Sequence, residues 1–489
     1  MKFSYSERSV KRGYSWENST PVSATPEKTF EADVAVIGAG IAGLAAAVRC
    51  AQLGLSVIVA DKGTGSIPCG RLIGVVPEGT DKKIFAKRWL RACGSRVNEE
   101  LLWKYMDKSA DALSWLVSLS AGEAEAVPYT NIYQNPDIGA FPGDYFFRPT
   151  GERYSSEGGQ LVEDILGDAL TDMGGTIFRQ MTAQELEKDE NGRVVSFLAS
   201  DADGKYVRFA GKKAVILAAG DCGADEEMLA ALSPLSLRAG TLFSNGTGDG
   251  QKMAYKAGAE LEGLYWAPHF ACTAYGPYTF FFTAVNRDGR RFSNEDTSDP
   301  AKARHCMNQR AGEWAFTICD DKWYEELQKA RGIAGGLRMM PEEGLTREDI
   351  EAEFQENLYR ADTLEELAEK MEVPVEALKK TVERVNSLAA QGEDPDYGKR
   401  PELLTTIEKA PFYAFKWGPA LVATFGGAAV DTEMHVLDPD DWPIPGLYAV
   451  GYCAGGLYAI GYPSVLEGSD IGSAITFALC AAESIASDH

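Results

Sequence analysis

A glycine-rich turn between two short apolar segments is the feature that most restricts how this chain can fold. Val34 to Ile37 form a continuous apolar run, as in a strand buried on both faces, and Gly38-Ala39-Gly40-Ile41-Ala42-Gly43 follows directly. The next residues, up to Leu53, are rich in alanine and leucine and predict a helix, and a second apolar run ends in Asp61. This order of strand, G-x-G-x-x-G, helix and strand with a terminal acid predicts a dinucleotide-binding βαβ unit.

Each part of this unit has a chemical task. Gly38 permits the tight turn, Gly40 lets the backbone approach a pyrophosphate, and Gly43 lets the helix pack against the strand. The helix N-terminus offers N–H groups and a positive dipole to the phosphates, and Asp61 accepts hydrogen bonds from an adenosine ribose. The alternative is an ordinary glycine turn in an α/β protein, but the sequence context favours a cofactor site. The contacts predicted from this part of the chain are Gly38, Gly40, Ile41, Ala42, Gly43, Asp61, Lys62 and Gly70.

The acidic composition of the chain argues against two classes of partner. Among 489 residues, 48 are Lys or Arg and 72 are Asp or Glu, which gives a formal net charge of −24. Such a surface repels phosphate backbones and anionic lipid, so we expect no nucleic-acid partner and no membrane insertion. The nine cysteines are scattered without a C-x-x-C pair, which predicts no metal site and suits a reducing, cytoplasmic environment.

Several stretches farther along the chain resemble one family of flavoproteins. They are A-V-I-L-A-A-G at 214–220, G-T-G-D-G at 246–250, N-R-D-G-R-R-F-S-N-E at 286–295, A-D-T-L-E-E-L-A at 361–368, G-L-Y-A-V-G at 446–451 and G-S-D-I-G-S-A-I-T-F at 468–477. From about Asp33 to the C-terminus, the chain is similar to the family of fumarate reductase, succinate dehydrogenase, urocanate reductase and 3-ketosteroid dehydrogenase. The resemblance implies FAD as the cofactor and a mobile cap over the substrate site.

The resemblance also implies a domain organisation. We expect an α/β fold in which a Rossmann-like FAD-binding domain, with a parallel sheet and a β-hairpin layer, is split by an inserted α+β capping domain. The expected limits are an irregular leader at 1–30, the first part of the FAD domain at 31–264, the cap at 265–424 and the second part of the FAD domain at 425–489. The polar leader lacks an apolar run, so we expect no signal peptide.

Positions in the matching motifs imply further FAD contacts. Gly451 would lie along the ribityl chain, and Ser469 to Ile471 would meet the pyrimidine edge at the start of the last helix, where backbone donors stabilise charge on reduced flavin. Family members usually have an acid where this chain has Tyr452. Because no histidine precedes His269 and no second G-x-G-x-x-G unit occurs, we expect non-covalent FAD and no nicotinamide domain. The contacts implied by the resemblance are Gly220, Asp249, Gly451, Ser469, Asp470 and Ile471.

The fumarate branch of the family clamps a dicarboxylate with histidines and arginines, which hold two carboxylates in fixed geometry. In this chain the arginine expected after R-F-S-N-E falls at Asp299 or Pro300. The histidines expected before the next Gly-Gly are replaced by Val422 and Ala423, and a second arginine is replaced near Tyr462. We therefore expect that a dicarboxylate is not the substrate.

G-Y-P at 461–463 instead resembles the ketosteroid dehydrogenase branch, where a tyrosine donates a hydrogen bond to a substrate ketone. A phenol is a neutral donor that stabilises a developing enolate. Tyr462 is therefore the predicted electrophile, and Tyr458 and Tyr278 are candidates for proton transfer. His269, which lies near a family histidine position, is a further catalytic candidate. Tyr458, Tyr278 and His269 each also have a purely structural interpretation, since such residues commonly pack in or beside cores.

These patterns predict a FAD-dependent oxidoreductase acting on CH–CH or C=C groups, which moves hydride between flavin N5 and a bond beside a carbonyl. An enone or enoate reductase and a ketosteroid-type dehydrogenase both meet this description, and the absence of an oxidase-specific feature slightly favours reduction. The expected partners are a small carbonyl-conjugated substrate and an external electron donor or acceptor of open identity. The alternatives are a non-catalytic flavin electron-transfer subunit and an amine or amino-acid oxidase.

Overall fold

The computed structural model describes residues 14–18, 22, 24–63, 71–128, 141–154, 160–263, 265–273, 281–310, 312–330 and 346–488. Two of the predicted site residues, Gly70 and Tyr278, lie outside the described residues. Within those ranges, no helix combines the length and the apolar character needed to cross a membrane.

The described residues form a mixture of strands and helices. The strands are β1 (Lys28–Ile37), β2 (Val57–Asp61), β3 (Leu72–Gly74), β4 (Ala124–Pro128), β5 (Asp144–Pro149), β6 (Thr176–Arg179), β7 (Thr182–Lys188), β8 (Val194–Ser200), β9 (Tyr206–Leu217), β10 (Gly240–Thr241), β11 (Ala267–Cys272), β12 (Thr283–Val285), β13 (Ala315–Asp320), β14 (Leu358–Ala361), β15 (Phe412–Trp417), β16 (Pro419–Phe425), β17 (His435–Leu437) and β18 (Pro443–Ala449). The helices are α1 (Ile41–Gln52), α2 (Lys82–Ala92), α3 (Glu99–Leu119), α4 (Leu161–Asp172), α5 (Glu226–Leu232), α6 (Asp249–Lys256), α7 (Asp299–Met307), α8 (Trp323–Ala330), α9 (Arg347–Glu353), α10 (Leu364–Met371), α11 (Val375–Gln391) and α12 (Ser469–Ser487).

The largest sheet has the strand order β17-β18-β9-β1-β2-β6, and its central strands run parallel. Val34 of β1 pairs with Val57 of β2 on one side and with Ala214 of β9 on the other. Both faces of these strand segments are buried, which agrees with their apolar sequence. Helix α1 packs against α4 and α12. β7, β8 and the first half of β9 continue the sheet as an antiparallel hairpin layer. The predicted Rossmann-like α/β fold is therefore confirmed.

Strand β1 begins earlier than the apolar run suggests. Lys28 to Ala32 pair with Val207 to Gly211 of β9, and a bulge separates this half from the apolar half that starts at Val34. The early residues are largely exposed, so the sequence there lacks the continuous apolar character that marks the buried half. The strand therefore extends into the leader predicted at 1–30.

A separate antiparallel sheet, in the order β12-β13-β15-β14, lies within the predicted insert. α10 packs against α11, β14 and β15, and the apolar side chains of this region form clusters distinct from the core of the main sheet. A three-stranded sheet, β10-β16-β11, lies alongside. The α+β character expected of the insert agrees with this arrangement, whereas the limits 265–424 stay a prediction.

Candidate cofactor and active site

A cleft of about 1230 Å³, a volume that includes space open to solvent, lies at the carboxyl ends of the parallel strands. This edge of an open α/β sheet is where ligands bind in such folds. The predicted cofactor contacts that line the cleft are Gly38, Gly40, Ile41, Ala42, Asp61, Lys62, Gly220, Asp249, Gly451, Asp470 and Ile471. The structure therefore brings together in one cleft residues from six separate parts of the sequence.

The glycine turn has three different steric requirements. Gly38 has a φ of 105°, and a Cβ added there would lie 2.3 Å from the carbonyl oxygen of Ala218 on the neighbouring segment. A Cβ on Gly43 would lie 2.0 Å from the carbonyl oxygen of Gly38, so Gly43 sets the packing of α1 and does not itself line the cleft. A Cβ on Gly40 would meet nothing within 4 Å. The backbone at Gly40 and the start of α1 thus form an open cradle suited to a phosphate group.

The acid at the end of β2 both lines the cleft and holds the turn. Asp61 accepts hydrogen bonds from the backbone N–H groups of Ala39 at 3.1 Å and Gly63 at 2.9 Å, and it pairs with Arg179 at 3.0 Å. This carboxylate is therefore fixed in position beside the glycine cradle, where a ribose hydroxyl would meet it.

Lys62 links the two sides of the cleft at the same end. Its ammonium lies 3.1 Å from a carboxylate oxygen of Asp249 and 2.9 Å from the hydroxyl of Thr247. Asp249 is the first residue of α6, where the helix dipole favours an acid. The lysine therefore ties the G-T-G-D-G segment to the end of β2.

The start of α12 is pressed against β3 without intervening side chains. The N–H of Gly74 donates to the carbonyl oxygen of Gly468 at 2.8 Å, and a Cβ on Gly472 would lie 1.7 Å from the carbonyl oxygen of Gly74. Asp470 and Ile471, in the first turn of α12, line the cleft, whereas Ser469 is fully buried behind it. The three glycines thus fix the distance between the N-terminus of α12 and the cleft.

Aromatic rings from four segments stack beside this helix start. The Tyr462 ring lies on the His269 imidazole, with centroids 4.0 Å apart and an interplanar angle of 9°. Phe425 stacks on Tyr458 at 4.2 Å and meets Tyr452 edge-on at 5.3 Å. The predicted catalytic residues Tyr462, Tyr458 and His269 therefore lie together, and the stack joins β11 and β16 to the C-terminal loop. Phe425 and Tyr452 complete the group but were not predicted as site residues.

Hydroxyl groups of this cluster converge on one carboxylate. Tyr462 donates to Asp470 at 3.4 Å and accepts the N–H of Ser469 at 3.0 Å, while Tyr452 donates to the other oxygen of Asp470 at 3.1 Å. Tyr458 shares a hydrogen bond of 3.1 Å with Ser473. Burial, with a further contribution from the Asp470 charge, raises the pKa of all three phenols well above the ordinary value. The phenols are therefore protonated donors at any physiological pH.

Two buried polar residues that the sequence interpretation missed connect the cleft to its surroundings. Asp221 lines the cleft and accepts hydrogen bonds from the N–H of Thr424 at 2.9 Å and from the Ser244 hydroxyl, while burial raises its pKa. Gln251 donates to the carbonyl oxygens of Gly220 at 2.9 Å and Tyr452 at 2.8 Å. Asp221 directly follows A-V-I-L-A-A-G, and Gln251 directly follows G-T-G-D-G. Their position next to these motifs was the sequence signal that could have identified them.

The side-chain oxygen of Gln251 is buried and has no donor in the described part of the chain. Buried acceptors are normally satisfied, but Gln251 is not one of the residues that line the cleft, so this atom does not identify a ligand. The open cradle at Gly40 and the acid at Asp61 are the features that fit a dinucleotide.

The positions of the expected dicarboxylate clamp carry no cation. Asp299 and Pro300 form the buried first turn of α7, Val422 lines the cleft, and Ala423 is fully buried in β16. Tyr462 lies near the position where the second arginine of the clamp is expected. Tyr452 and Asp470 line the cleft at this end, whereas the predicted catalytic residues Tyr462, Tyr458 and His269 lie outside its lining.

Known proteins resemble this chain along nearly its whole length. The model of a family described as "FAD binding domain" matches residues 33–465. A probable fumarate reductase of Shewanella frigidimarina is 28% identical over 95% of this chain and 76% of that protein. The vinyl phenol reductase of Lactiplantibacillus plantarum is 26% identical over 90% of this chain and 94% of that protein.

A solved structure supports the same relationship. The 3-ketosteroid-delta4-(5alpha)-dehydrogenase from Rhodococcus jostii RHA1, in complex with 4-androstene-3,17-dione, has a TM-score of 0.72 at 25% identity, covering 95% of this chain and 98% of that chain. These relatives confirm the predicted class, a FAD-dependent oxidoreductase acting on C=C or CH–CH groups. On the match over residues 33–465, the chain belongs to the FAD-binding domain family, and FAD is its cofactor.

Proposed function

We propose that this protein transfers hydride between flavin N5 and a C–C or C=C bond adjacent to a carbonyl group, and that it does not act on dicarboxylates. The observation that carries the proposal is the neutral donor group at one end of the FAD cleft. Tyr452 lines the cleft, Tyr462 is hydrogen-bonded to the lining residue Asp470, and Tyr458 packs beside them, whereas the positions expected to hold a cationic clamp offer no cation.

When bound, FAD supplies the group that accepts or gives the hydride. The chain's own residues then have to orient the substrate and polarise its carbonyl. The Tyr462 hydroxyl, which donates to Asp470 at 3.4 Å, is weakly engaged there and would turn toward a substrate carbonyl oxygen. The Ser469 N–H, at 3.0 Å from the same oxygen, strengthens the phenol as a donor because it withdraws charge from it. Stacking on His269 holds the ring in place.

In the direction of reduction, the β-carbon of the substrate accepts hydride, the double bond becomes single, and the α-carbon accepts a proton. Tyr462 stabilises the enolate oxygen between these two events. Tyr458 and Tyr278 remain candidates for the proton donor, and His269 is a positioning residue for the Tyr462 ring. Reduction is slightly favoured because the sequence has no oxidase-specific feature.

The remaining expectations belong to the same proposal. The FAD is held without a covalent bond, the cap spans 265–424, the protein works in the cytoplasm, and the electron partner is external. A non-catalytic electron-transfer subunit is disfavoured by the clustered phenols, since electron transfer needs no proton donors. An amine or amino-acid oxidase is disfavoured because none of the relatives named above is one.

The test is anaerobic reoxidation of the reduced holoenzyme. Protein reduced with dithionite is mixed with enones, enoates, a ketosteroid enone, fumarate or buffer, and the return of oxidised flavin absorbance is followed. We expect at least one conjugated carbonyl compound to reoxidise the flavin rapidly while fumarate does not. Rapid reoxidation by fumarate would mean that the clamp positions were misassigned, and no response to any compound would favour the electron-transfer alternative.

A further inference from the structure

Arg304 is a cation beside the proposed active site that neither the motifs nor the function above assigns. It lies in the last turn of α7, and its Nη2 donates to the carbonyl oxygen of Ile460 at 3.0 Å. The guanidinium covers the neighbouring backbone so closely that a Cβ on Gly461 would lie 1.6 Å from Nη2. Tyr462 is the next residue, about 3.8 Å further along the backbone. The guanidinium therefore contacts the backbone that directly precedes Tyr462, the proposed electrophile.

The surroundings of Arg304 do not balance its charge. The bond to Ile460 uses one N–H, and in the described residues Nε is buried without an acceptor and no carboxylate pairs with the side chain. Desolvation lowers the pKa of Arg304, and no acid opposes that effect. Arg291, by contrast, pairs with Glu295 at 2.7 Å and Asp394 at 2.8 Å. A partly buried cation without an anion is costly, so its retention calls for an explanation.

A purely structural role explains only part of the arrangement. Ile460 has a φ of 66°, which is unfavourable for a β-branched residue, and the bond from Arg304 helps to hold it. A neutral amide donor would serve that purpose without the desolvation cost of a guanidinium. The negative end of the α7 dipole offsets a small part of that cost, because it acts only on the last turn.

The position of α7 places the cation beside the aromatic stack, and Arg304 itself is not one of the residues that line the cleft. The helix packs against β11 and β16, which carry His269 and Phe425 into the aromatic stack. A substrate carbonyl bound at the Tyr462 hydroxyl would therefore have the backbone contact of Arg304 one residue away. The guanidinium fork matches one carboxylate, and Lys302, a buried cation of the same helix, already has the charge of Asp299 beside it.

We propose that Arg304 binds the carboxylate of the substrate, so that the enzyme acts on α,β-unsaturated monocarboxylates in preference to neutral enones. This inference rests on the proposed function and narrows its substrate class. In this arrangement Arg304 neutralises the carboxylate while Tyr462 donates to one of its oxygens as the enolate develops. The substrate anion in turn supplies the charge that the guanidinium lacks.

The experiment compares three compounds that share a phenyl-substituted double bond: cinnamate, methyl cinnamate and benzylideneacetone. Reoxidation rates of the reduced holoenzyme are measured for the wild type, Arg304→Gln and Arg304→Lys. The glutamine keeps a donor for Ile460 but removes the charge, and the lysine keeps the charge. Arg238→Gln is the matched control, because Arg238 also donates to a backbone carbonyl, that of Met307 at 2.7 Å, at the end of the same helix. Binding of 3-phenylpropanoate and its methyl ester to the oxidised holoenzyme, read from the flavin spectrum, is a second measurement.

We expect Arg304→Gln to lower kcat/KM for cinnamate by roughly ten- to a hundredfold, the usual worth of a charge-assisted pair, while the ester and ketone change little. Arg304→Lys should recover part of the loss, and Arg238→Gln should match the wild type. An equal loss for acid, ester and ketone would overturn the proposal and leave Arg304 as a support for Ile460. If the wild type reduces none of the three compounds, the proposed function is in doubt, but selective loss of 3-phenylpropanoate binding in Arg304→Gln would still support the anion site, and unchanged binding would refute it.

Discussion

The two ends of the FAD cleft are built in opposite ways. At the glycine end, charged groups meet in pairs, Asp61 with Arg179 and Lys62 with Asp249, around a backbone cradle formed by consecutive residues. At the aromatic end, uncharged rings and hydroxyls from distant segments surround the carboxylate of Asp470. The first end suits tight binding of a phosphate group, and the second suits chemistry on a carbonyl. Substitutions at the two ends should therefore separate cofactor binding from turnover.

The largest effect is expected at the glycine end, from Gly43→Ala. The new Cβ would lie 2.0 Å from a backbone oxygen of Gly38, so α1 would have to move away from the cradle. We expect this variant to purify without FAD, as judged by the flavin absorbance relative to protein. Gly167→Ala, in the middle of α4 with nothing within 4 Å of the new Cβ, is the matched control. It should retain FAD and gain about 0.5–1 kcal/mol of stability from its higher helix propensity. Full FAD content in Gly43→Ala would show that the cradle tolerates repacking.

The second prediction concerns the aromatic end. Tyr462→Phe keeps the ring on His269 but removes the donor, so FAD content should be unchanged. Turnover of the preferred substrate should fall on the order of a hundredfold, the usual cost of losing one oxyanion donor. Tyr458→Phe, which loses the bonds to Ser469 and Ser473, should have a smaller effect. Near-normal turnover in Tyr462→Phe would contradict its assignment and direct attention to Tyr458, Tyr278 and His269.

The third prediction is that stability depends on pH through Glu262, a partly buried acid that contacts the loop before Tyr458. Glu262 accepts the N–H of Gly456 at 3.0 Å, in the loop that leads to Tyr458, and burial raises its pKa from 4.5 to about 7. Below pH 4.5 the folded and unfolded chains are both protonated at this group. As the pH rises from 4.5 to 7 the unfolded chain loses its proton first, so the free energy of unfolding decreases through this window.

Glu262→Gln should remove that contribution and raise the free energy of unfolding above pH 7 by about 1–2 kcal/mol relative to the wild type, with little difference near pH 4. Denaturant unfolding at several pH values measures this difference. An identical pH profile for wild type and Glu262→Gln would place the sensitivity elsewhere.

The smallest effect is expected from the ion pair at the glycine end. Lys62→Met removes the ion pair with Asp249. The side chains of both residues are about a quarter exposed. Because such pairs contribute little, we expect the FAD dissociation constant to rise by less than about tenfold and kcat to stay unchanged. Lys82→Met, which breaks the exposed pair with Asp107 on α3, is the control and should leave both values unaltered. A fall in kcat for Lys62→Met would weaken the division between the two ends.

The same contrast explains which parts of the molecule were predictable from sequence. The glycine end is local: the spacing from Gly38 to Asp61 specifies turn, helix and strand, and the structure has each of them where the pattern predicts. The aromatic end depends on packing between residues far apart in the chain. Tyr462 was found through its G-Y-P motif, but its contacts with His269 and Asp470, and the contribution of Phe425, have no sequence spacing that reveals them.

The cation near the active site was missed for a similar reason. Comparison of motifs directed attention to Asp299 and Pro300, where an arginine was absent. α7 continues for two further turns, and it carries Arg304 to the backbone of Gly461, which lies 157 positions later in the sequence than the arginine. Only the crossing of the helix over that loop makes the side chain a neighbour of Tyr462.

The contact between β3 and the start of α12 has a consequence for how this sequence can vary. Gly74, Gly468 and Gly472 leave backbone against backbone, so any side chain there would push the first turn of α12, which lines the cleft, out of place. A library of all single substitutions, sorted for flavin fluorescence or colour, should therefore show a strip of intolerant positions at these three glycines. That strip would match the intolerance of the G-x-G-x-x-G turn, although none of its members belongs to that motif.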